Sequence, residues 1–185
     1  GVYCALSAGR LKQGDALATG VLTHAIKETD LPVIEAALAE SSDVDAVLSR
    51  YAVVAEPGPL MAAADTIERC FSEDSVNVIL AKLDESGDEF ALKAAQAIRQ
   101  KSPTSVLIAF EQMQRGGELS FNECMKLEYR IVSEILKGSE FYEGVRAVLV
   151  DKDQDPKWSP SSLDQVDKED LAAYFREPAG GDLPL

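Results

Sequence analysis

The sequence predicts a mainly α-helical fold. Apolar residues recur at spacings of three and four through most of the 185 residues, which is the pattern of an amphipathic helix. Cap residues and glycine stops bracket successive segments of this kind. Only residues 21–26 are both short and rich in branched side chains, as a strand would be. We therefore expect helices throughout, with at most one short strand near 21–26.

The clearest single element is a helix over 120–137. Ser120 and Glu123 form a capping-box pattern at its start, and Gly138 provides a stop after its end. Glycines likewise end the two short helices at the beginning of the chain. In order, the predicted helices lie at 1–9, 15–19, 30–40, 42–51, 60–70, 75–85, 88–101, 103–115, 120–137, 139–149 and 167–176.

The charge balance argues against two classes of partner. The chain has 32 acidic and 18 basic residues, which gives a formal net charge of −14. Nucleic-acid phosphates and anionic membrane surfaces would be repelled at long range, so we expect neither as a partner. No apolar run approaches the roughly 20 residues that span a bilayer.

The cysteines favour a reducing compartment. Cys4, Cys70 and Cys124 are odd in number and widely spaced, with no CxxC pair. A bacterial cytoplasm and a mitochondrial matrix both fit this pattern. The chain starts at Gly1, inside a segment with helical spacing and no N-cap residue, so we expect the natural protein to begin earlier.

No residue of the chain stands out as catalytic. His24 is the only histidine, and no serine or cysteine lies at a diagnostic spacing from it, so neither a nucleophile nor a zinc site has support. The carboxylates are many, but none forms a matched pair of acid and base. We therefore assign no catalytic residue and no metal ligand.

One carboxylate departs from its surroundings. Glu128 falls within the apolar arc of the 120–137 helix, which predicts a buried acid. We expect a structural ion pair with Arg146, or with Arg10 as the second candidate, because a lone buried carboxylate is costly. The alternative is a proton donor with a tuned pKa.

The stretch from Phe141 to Pro160, FYEGVRAVLVDKDQDPKWSP, resembles the C-terminal signature of acyl-CoA thioester hydrolases in the enoyl-CoA hydratase/isomerase family. The resemblance spans nearly the whole chain and is weakest over 30–70. Further similar segments are Leu6–Gly20, Leu22–His24, Lys101–Ser105 and Met125–Ile131.

The resemblance implies a crotonase-type α/β fold, in which an N-terminal spiral of β-β-α units precedes a C-terminal helical region. This chain resembles the helical region and the last part of the spiral. Residues 1–51 would hold the end of the core and the helices after it, 52–59 a loop, and 60–185 the C-terminal helical region. The family's oxyanion-hole amides and active-site carboxylates belong to the spiral, so no residue here inherits a catalytic role.

The activity implied for the intact protein is hydrolysis of an acyl-CoA thioester, with a short branched hydroxyacyl-CoA of valine breakdown as substrate. This chain alone would be inactive. The Asp-Lys-Asp-Gln-Asp-Pro-Lys-Trp run favours hydrolysis over the alternative, hydration or isomerisation of an enoyl-CoA. A third hypothesis is a helical interaction module without chemistry.

Two basic residues are implied as CoA-binding. Related enzymes use a lysine, in the helix after a Glu-Gly pair, to meet CoA, and Lys152 occupies roughly that place, with Arg146 earlier on the same helix. Because CoA is part of the substrate, we expect no separate cofactor. The implied partners are the acyl-CoA, the N-terminal spiral core and further copies of the chain.

Overall fold

A computed structural model describes all 185 residues of the chain. It contains eleven α-helices and several shorter turns. No helix has the length and apolar character needed to cross a lipid bilayer. The helices are α1 Val2–Ser7, α2 Gln13–Ala18, α3 Leu31–Glu40, α4 Val44–Tyr51, α5 Ala64–Phe71, α6 Val76–Ser86, α7 Glu89–Arg99, α8 Pro103–Gly116, α9 Phe121–Ile135, α10 Glu140–Val145 and α11 Lys168–Ala173. The 3₁₀ turns are Glu28–Asp30, Pro59–Ala63 and Leu163–Gln165, and a π-helical turn, Arg146–Val150, follows α10.

The strand predicted near 21–26 is wrong, and the fold class is corrected accordingly. Residues 21–26 have irregular backbone, and the chain contains no β-strand. A strand needs a neighbouring strand to pair its backbone groups. Here the Ala25 carbonyl accepts one bond from the Val53 N–H at 2.8 Å, while the Leu22 N–H turns back to the Ala16 carbonyl at 3.0 Å. One isolated bond does not make a ladder.

Residues 1–9 and 69–185 form one compact unit. Within it, α8 lies between two sets of helices, with α1 and α6 among its contacts as well as α9 and α11. A cluster of buried apolar residues packs α8 against α9 and against the residues after α11. Burying one such side chain contributes roughly 1.5–3 kcal/mol. The cluster consists of Ile108, Leu127, Ile131 and Phe175.

Residues 10–68 form the second compact unit, built on α2, α3, α4 and the Pro59–Ala63 turn. Asp15 is 1% exposed and accepts the backbone N–H groups of Leu60 at 2.9 Å and Lys12 at 3.2 Å. Gly14 allows this packing, because a Cβ there would lie 2.0 Å from the Glu56 carbonyl oxygen. The division into 1–51 and 60–185 proposed from the sequence stays a prediction.

Two helix boundaries are informative. The predicted capping box of α9 is confirmed, since the Glu123 N–H donates to Ser120 Oγ at 3.4 Å and the Ser120 N–H donates to Glu123 Oε2 at 2.7 Å. The helix predicted over 139–149 is instead divided into α10 and the π-helical turn. That turn is closed by a bond from the Asp151 N–H to the Arg146 carbonyl at 2.8 Å.

Candidate functional site

An open pocket of about 410 Å³ lies within the unit formed by residues 1–9 and 69–185. Its walls come from α8, the end of α9, α10, the π-helical turn and Trp158. Most of the lining side chains are apolar, as is usual for a small-molecule site. Those apolar side chains are Ile108, Ile135, Phe141, Val145, Val148, Leu149 and Trp158.

The pocket has few polar side chains, and two of them, Ser102 and Glu140, are bonded to each other. Ser102 is 5% exposed; its hydroxyl donates to Glu140 Oε1 at 2.9 Å and accepts the Ser105 N–H at 3.0 Å. Burial raises the pKa of the Tyr174 hydroxyl, and the charges of Glu140 and Glu134 raise it further. Tyr174 therefore remains a neutral hydrogen-bond donor, and the pocket offers no activated nucleophile.

Trp158 is the wall contributed by the end of the FYEGVRAVLVDKDQDPKWSP segment. The indole Nε1–H donates to the Gln100 carbonyl at 3.1 Å. The ring lies against Gly144 of α10, where an added Cβ would be 3.4 Å from the indole Cη2. Trp158 thus joins α10 to the connection between α7 and α8.

Arg146 lies at the start of the π-helical turn, and acidic residues surround it. Nε and one terminal nitrogen donate to the two carboxylate oxygens of Glu143, each at 2.8 Å. The other terminal nitrogen donates to Asp151 at 2.7 Å and Asp153 at 2.6 Å, and the Asp155 carbonyl accepts a further bond at 3.2 Å. A guanidinium has five N–H donors, and all five are used.

The charges of this cluster stabilise one another. Hydrogen bonds from Arg146, and then from the Lys157 backbone N–H, lower the pKa of Glu143 to about 2. The same guanidinium holds the pKa of Asp153 below its usual value. Glu143, Asp151 and Asp153 in turn raise the pKa of Arg146, so the group stays fully charged.

Lys152 is exposed, as expected for a lysine that meets a charged ligand. Its backbone adopts a left-handed conformation, with φ at 57°. Its ammonium group has no ion-pair or hydrogen-bond partner in the structure. The assignment of Lys152 and Arg146 to CoA stays a prediction; Lys152 has free donors for a phosphate, whereas Arg146 has none.

The prediction for Glu128 is wrong. Its side chain is exposed to solvent and pairs with neither Arg146 nor Arg10. The reason is that α9 buries only one side of a wide apolar arc. Leu127 lies on the buried side, whereas Val132, on the other side with Glu128, is 46% exposed.

The remaining candidates from the sequence do not form a site. His24 is half-buried, and its Nδ1 lies 3.0 Å from Thr23 Oγ1. The three cysteines are free. No group of three or more His, Cys, Asp and Glu side chains is arranged to hold a metal ion.

The sequence did not reveal the pocket itself. Ser102 and Glu140 are 38 residues apart, and Gln100 and Trp158 are 58 apart, so no local spacing joins them. The only signals were the segments 141–160 and Lys101–Ser105, which resemble the family and supply much of the lining, without indicating that they meet.

The chain belongs to the enoyl-CoA hydratase/isomerase family, whose model matches residues 1–175. Among curated proteins it is similar to the mitochondrial 3-hydroxyisobutyryl-CoA hydrolase of Xenopus tropicalis, with 37% identity over all of this chain and 51% of the relative. The mitochondrial 3-hydroxyisobutyryl-CoA hydrolase of Homo sapiens is 34% identical over 99% of this chain and 50% of its own length. The chain therefore spans about half the length of the curated relatives it matches.

Two solved structures share the fold. A carnitinyl-CoA dehydratase from Mycobacterium thermoresistibile aligns with 97% of this chain and 52% of its own, at a TM-score of 0.85 and 29% identity. An enoyl-CoA hydratase from Rhodobacter sphaeroides 2.4.1 aligns with 100% of this chain and 53% of its own, also at a TM-score of 0.85 and 29% identity. The resemblance found in the sequence is thus confirmed at the level of family and fold.

Proposed function

We propose that this chain is the C-terminal, non-catalytic part of an acyl-CoA thioester hydrolase, and that the intact protein acts on 3-hydroxyisobutyryl-CoA. The observation that supports this proposal is the similarity to 3-hydroxyisobutyryl-CoA hydrolases, which extends over the whole chain at 34–37% identity. The two solved dehydratase and hydratase structures reach 29% over the same length. Hydrolysis is therefore favoured over hydration.

The pocket supports the proposal that this chain encloses the ligand, while the other part of the protein carries the catalytic groups. Thioester hydrolysis needs preorganised donors at the carbonyl oxygen, together with a group that assists the attack. The Ser102 hydroxyl is engaged by Glu140, and the neutral Tyr174 hydroxyl can donate a hydrogen bond but cannot act as a base, so neither supplies a group that assists the attack. The mostly apolar walls of the pocket suit the enclosure of a ligand. The chemistry belongs to the rest of the protein.

The exposed apolar surface of the chain supports the same proposal. Leu136 at the end of α9 is 48% exposed, Tyr142 of α10 is 57% exposed, and Leu149 of the π-helical turn is 65% exposed. Scattered exposed residues are normal, but several on adjoining elements indicate a surface that another body covers. We propose that the catalytic part of the intact protein is that body.

Lys152 is the proposed contact to the CoA phosphates. Arg146 acts indirectly, by holding the loop that carries Lys152. Reversing the charge in the intact protein, Lys152→Glu, should raise KM for the acyl-CoA, and added salt should shrink the difference from wild type. Lys27→Glu is the matched control, because it makes the same change of charge in the other unit. Equal KM values for the two variants at every salt concentration would contradict the assignment.

The second candidate function is hydration or isomerisation of an enoyl-CoA, which the family and the two solved structures favour. The test is turnover of the intact protein on 3-hydroxyisobutyryl-CoA, followed as free thiol, beside turnover on an enoyl-CoA, followed as loss of the conjugated thioester. Thiol release supports the hydrolase. Loss of the conjugated thioester without thiol release would establish the alternative.

For the compartment we propose a mitochondrial matrix or a bacterial cytoplasm. The curated relatives are named as mitochondrial, which supports the first. The three free cysteines are compatible with either, since both compartments are reducing.

A further inference from the structure

The acceptors of Arg146 are concentrated on one short segment, residues 151–158, here called the 151–158 loop. The guanidinium binds the side chains of Asp151 and Asp153 and the carbonyl of Asp155. It also binds Glu143 of α10, which precedes the π-helical turn in the chain. Arg146 therefore fastens the 151–158 loop to α10.

The 151–158 loop needs such a cation. Asp151 and Asp153 share one terminal nitrogen of Arg146, so their carboxylates lie close together and would repel each other without the positive charge between them. The backbone is also unusual, because Lys152 and Gln154 have φ values of 57° and 56°, which residues other than glycine rarely adopt. Several bonds to one rigid, planar group can hold this shape.

The fastened loop ends at the pocket. Glu143 Oε1, which binds Arg146, also accepts the Lys157 backbone N–H at 2.6 Å. The next residue is Trp158, whose ring lies on Gly144 and whose Nε1–H donates to the Gln100 carbonyl. The path from the guanidinium to the pocket wall thus runs through one carboxylate and one backbone bond.

We propose that Arg146 is a positioning residue, which fixes the 151–158 loop so that Trp158 forms a wall of the pocket and Lys152 points its free ammonium outward. Arg146 does not touch the ligand, since its donors are all engaged by the protein. This inference rests on the proposed function, with an acyl-CoA as the ligand. Loss of Arg146 should weaken binding of the acyl-CoA and leave the chemistry of the bound substrate unchanged.

The experiment compares Arg146→Gln, Arg146→Lys and a control, Arg176→Gln, in the intact protein. Arg176 pairs with Glu169 on an exposed surface and has no role in the loop. Two readouts are used: the fluorescence of Trp158 in a background where other tryptophans are replaced, with acrylamide as quencher, and the kinetics of acyl-CoA turnover. Circular dichroism verifies that each variant is folded.

Arg146→Gln should give red-shifted emission and greater quenching, together with a rise in KM of about tenfold and kcat within about threefold of wild type. Arg146→Lys keeps the charge but not the planar guanidinium, so its quenching and its KM should lie between those of Arg146→Gln and of wild type. Arg176→Gln should match wild type. If Arg146→Gln does not fold, the Trp158 fluorescence and the KM of Arg146→Lys are used to test the proposal instead.

Unchanged Trp158 fluorescence in Arg146→Gln would overturn the positioning role, whatever the activity. Altered fluorescence with unchanged KM, or a loss confined to kcat, would overturn the link between the loop and substrate binding. If the wild-type protein turns over no acyl-CoA, the proposed function fails. The fluorescence comparison then still supports or overturns the positioning role by itself.

Discussion

Replacing Ser102 by alanine should destabilise the chain more than loss of an ordinary helix cap. Ser102 caps α8 through the Ser105 N–H at 3.0 Å, and loss of such a cap costs about 1 kcal/mol. It also donates to the Glu140 carboxylate at 2.9 Å, and a hydrogen bond to a charged group contributes about 1.5–3 kcal/mol. Glu140 is half-exposed and can regain water, so we take the lower end. The expected loss is roughly 2–3 kcal/mol.

The assay is urea unfolding of the chain, with the free energy of unfolding compared between variants. Ser120→Ala is the matched control, because Ser120 also caps a helix and also donates to a carboxylate, Glu123 Oε2 at 2.6 Å, but at an exposed position where water can replace that bond. Its loss should therefore cost only about 1 kcal/mol. A double-mutant cycle with Glu140→Ala should give a coupling of about 1–2 kcal/mol. Equal losses for Ser102→Ala and Ser120→Ala, or a coupling below about 0.5 kcal/mol, would refute the reasoning.

Three further predictions concern a buried leucine, an exposed glutamate and the glutamate bound to Arg146. Leu83 is fully buried, so Leu83→Ala should cost about 2–5 kcal/mol, whereas Leu92→Ala, at a site 49% exposed, should change stability by less than about 1 kcal/mol in the same unfolding assay. Glu128→Ala should change stability by no more than about 0.5 kcal/mol, since the carboxylate is exposed; a loss of several kcal/mol would restore the buried ion pair. The pKa of Glu143 is lowered from 4.5 to about 2, so its contribution is complete above pH 4.5 and is lost as the pH falls towards 2. Glu143→Gln should therefore flatten the acid side of a stability-against-pH profile, and an unchanged slope between pH 4.5 and 2 would count against the pair.

The helices could be predicted because their signals are local. The capping box at Ser120 and Glu123 and the proline that begins α8 lie within a few residues of the boundaries they set. The strand at 21–26 could not be judged in this way. Branched side chains favour a strand only where a second strand offers its backbone groups, and no such partner exists in the chain.

Glu128 shows a second limit of periodicity. Helical spacing correctly placed it among apolar residues, but it does not say which part of a wide apolar arc other helices cover. Leu127 and Ile131 are covered by α8 and the residues after α11, whereas Phe121 and Val132 are not. That outcome depends on how distant elements pack.

The candidate site also combines features that local sequence could predict with features that depend on distant contacts. Lys152 and Arg146 were predicted as CoA-binding residues from a continuous segment that resembles the family, and of this prediction the structure bears only on the exposure of Lys152, which is exposed. That all five donors of Arg146 are used by the protein could not be read from the sequence, because it depends on how the 151–158 loop folds back. The pocket depends on contacts such as Trp158 with Gln100, between residues far apart along the chain.

We propose that this chain encloses an acyl-CoA but performs no chemistry. The most direct measurement is thiol release from 3-hydroxyisobutyryl-CoA by this chain alone, by the catalytic part alone, and by the two together or joined in the intact protein. We expect no turnover above background from this chain alone, because its pocket offers no activated nucleophile, and we expect turnover when both parts are present. Thiol release by this chain alone, abolished by substitutions at Ser102, Glu140 or Tyr174, would place the active site in the pocket and contradict the account.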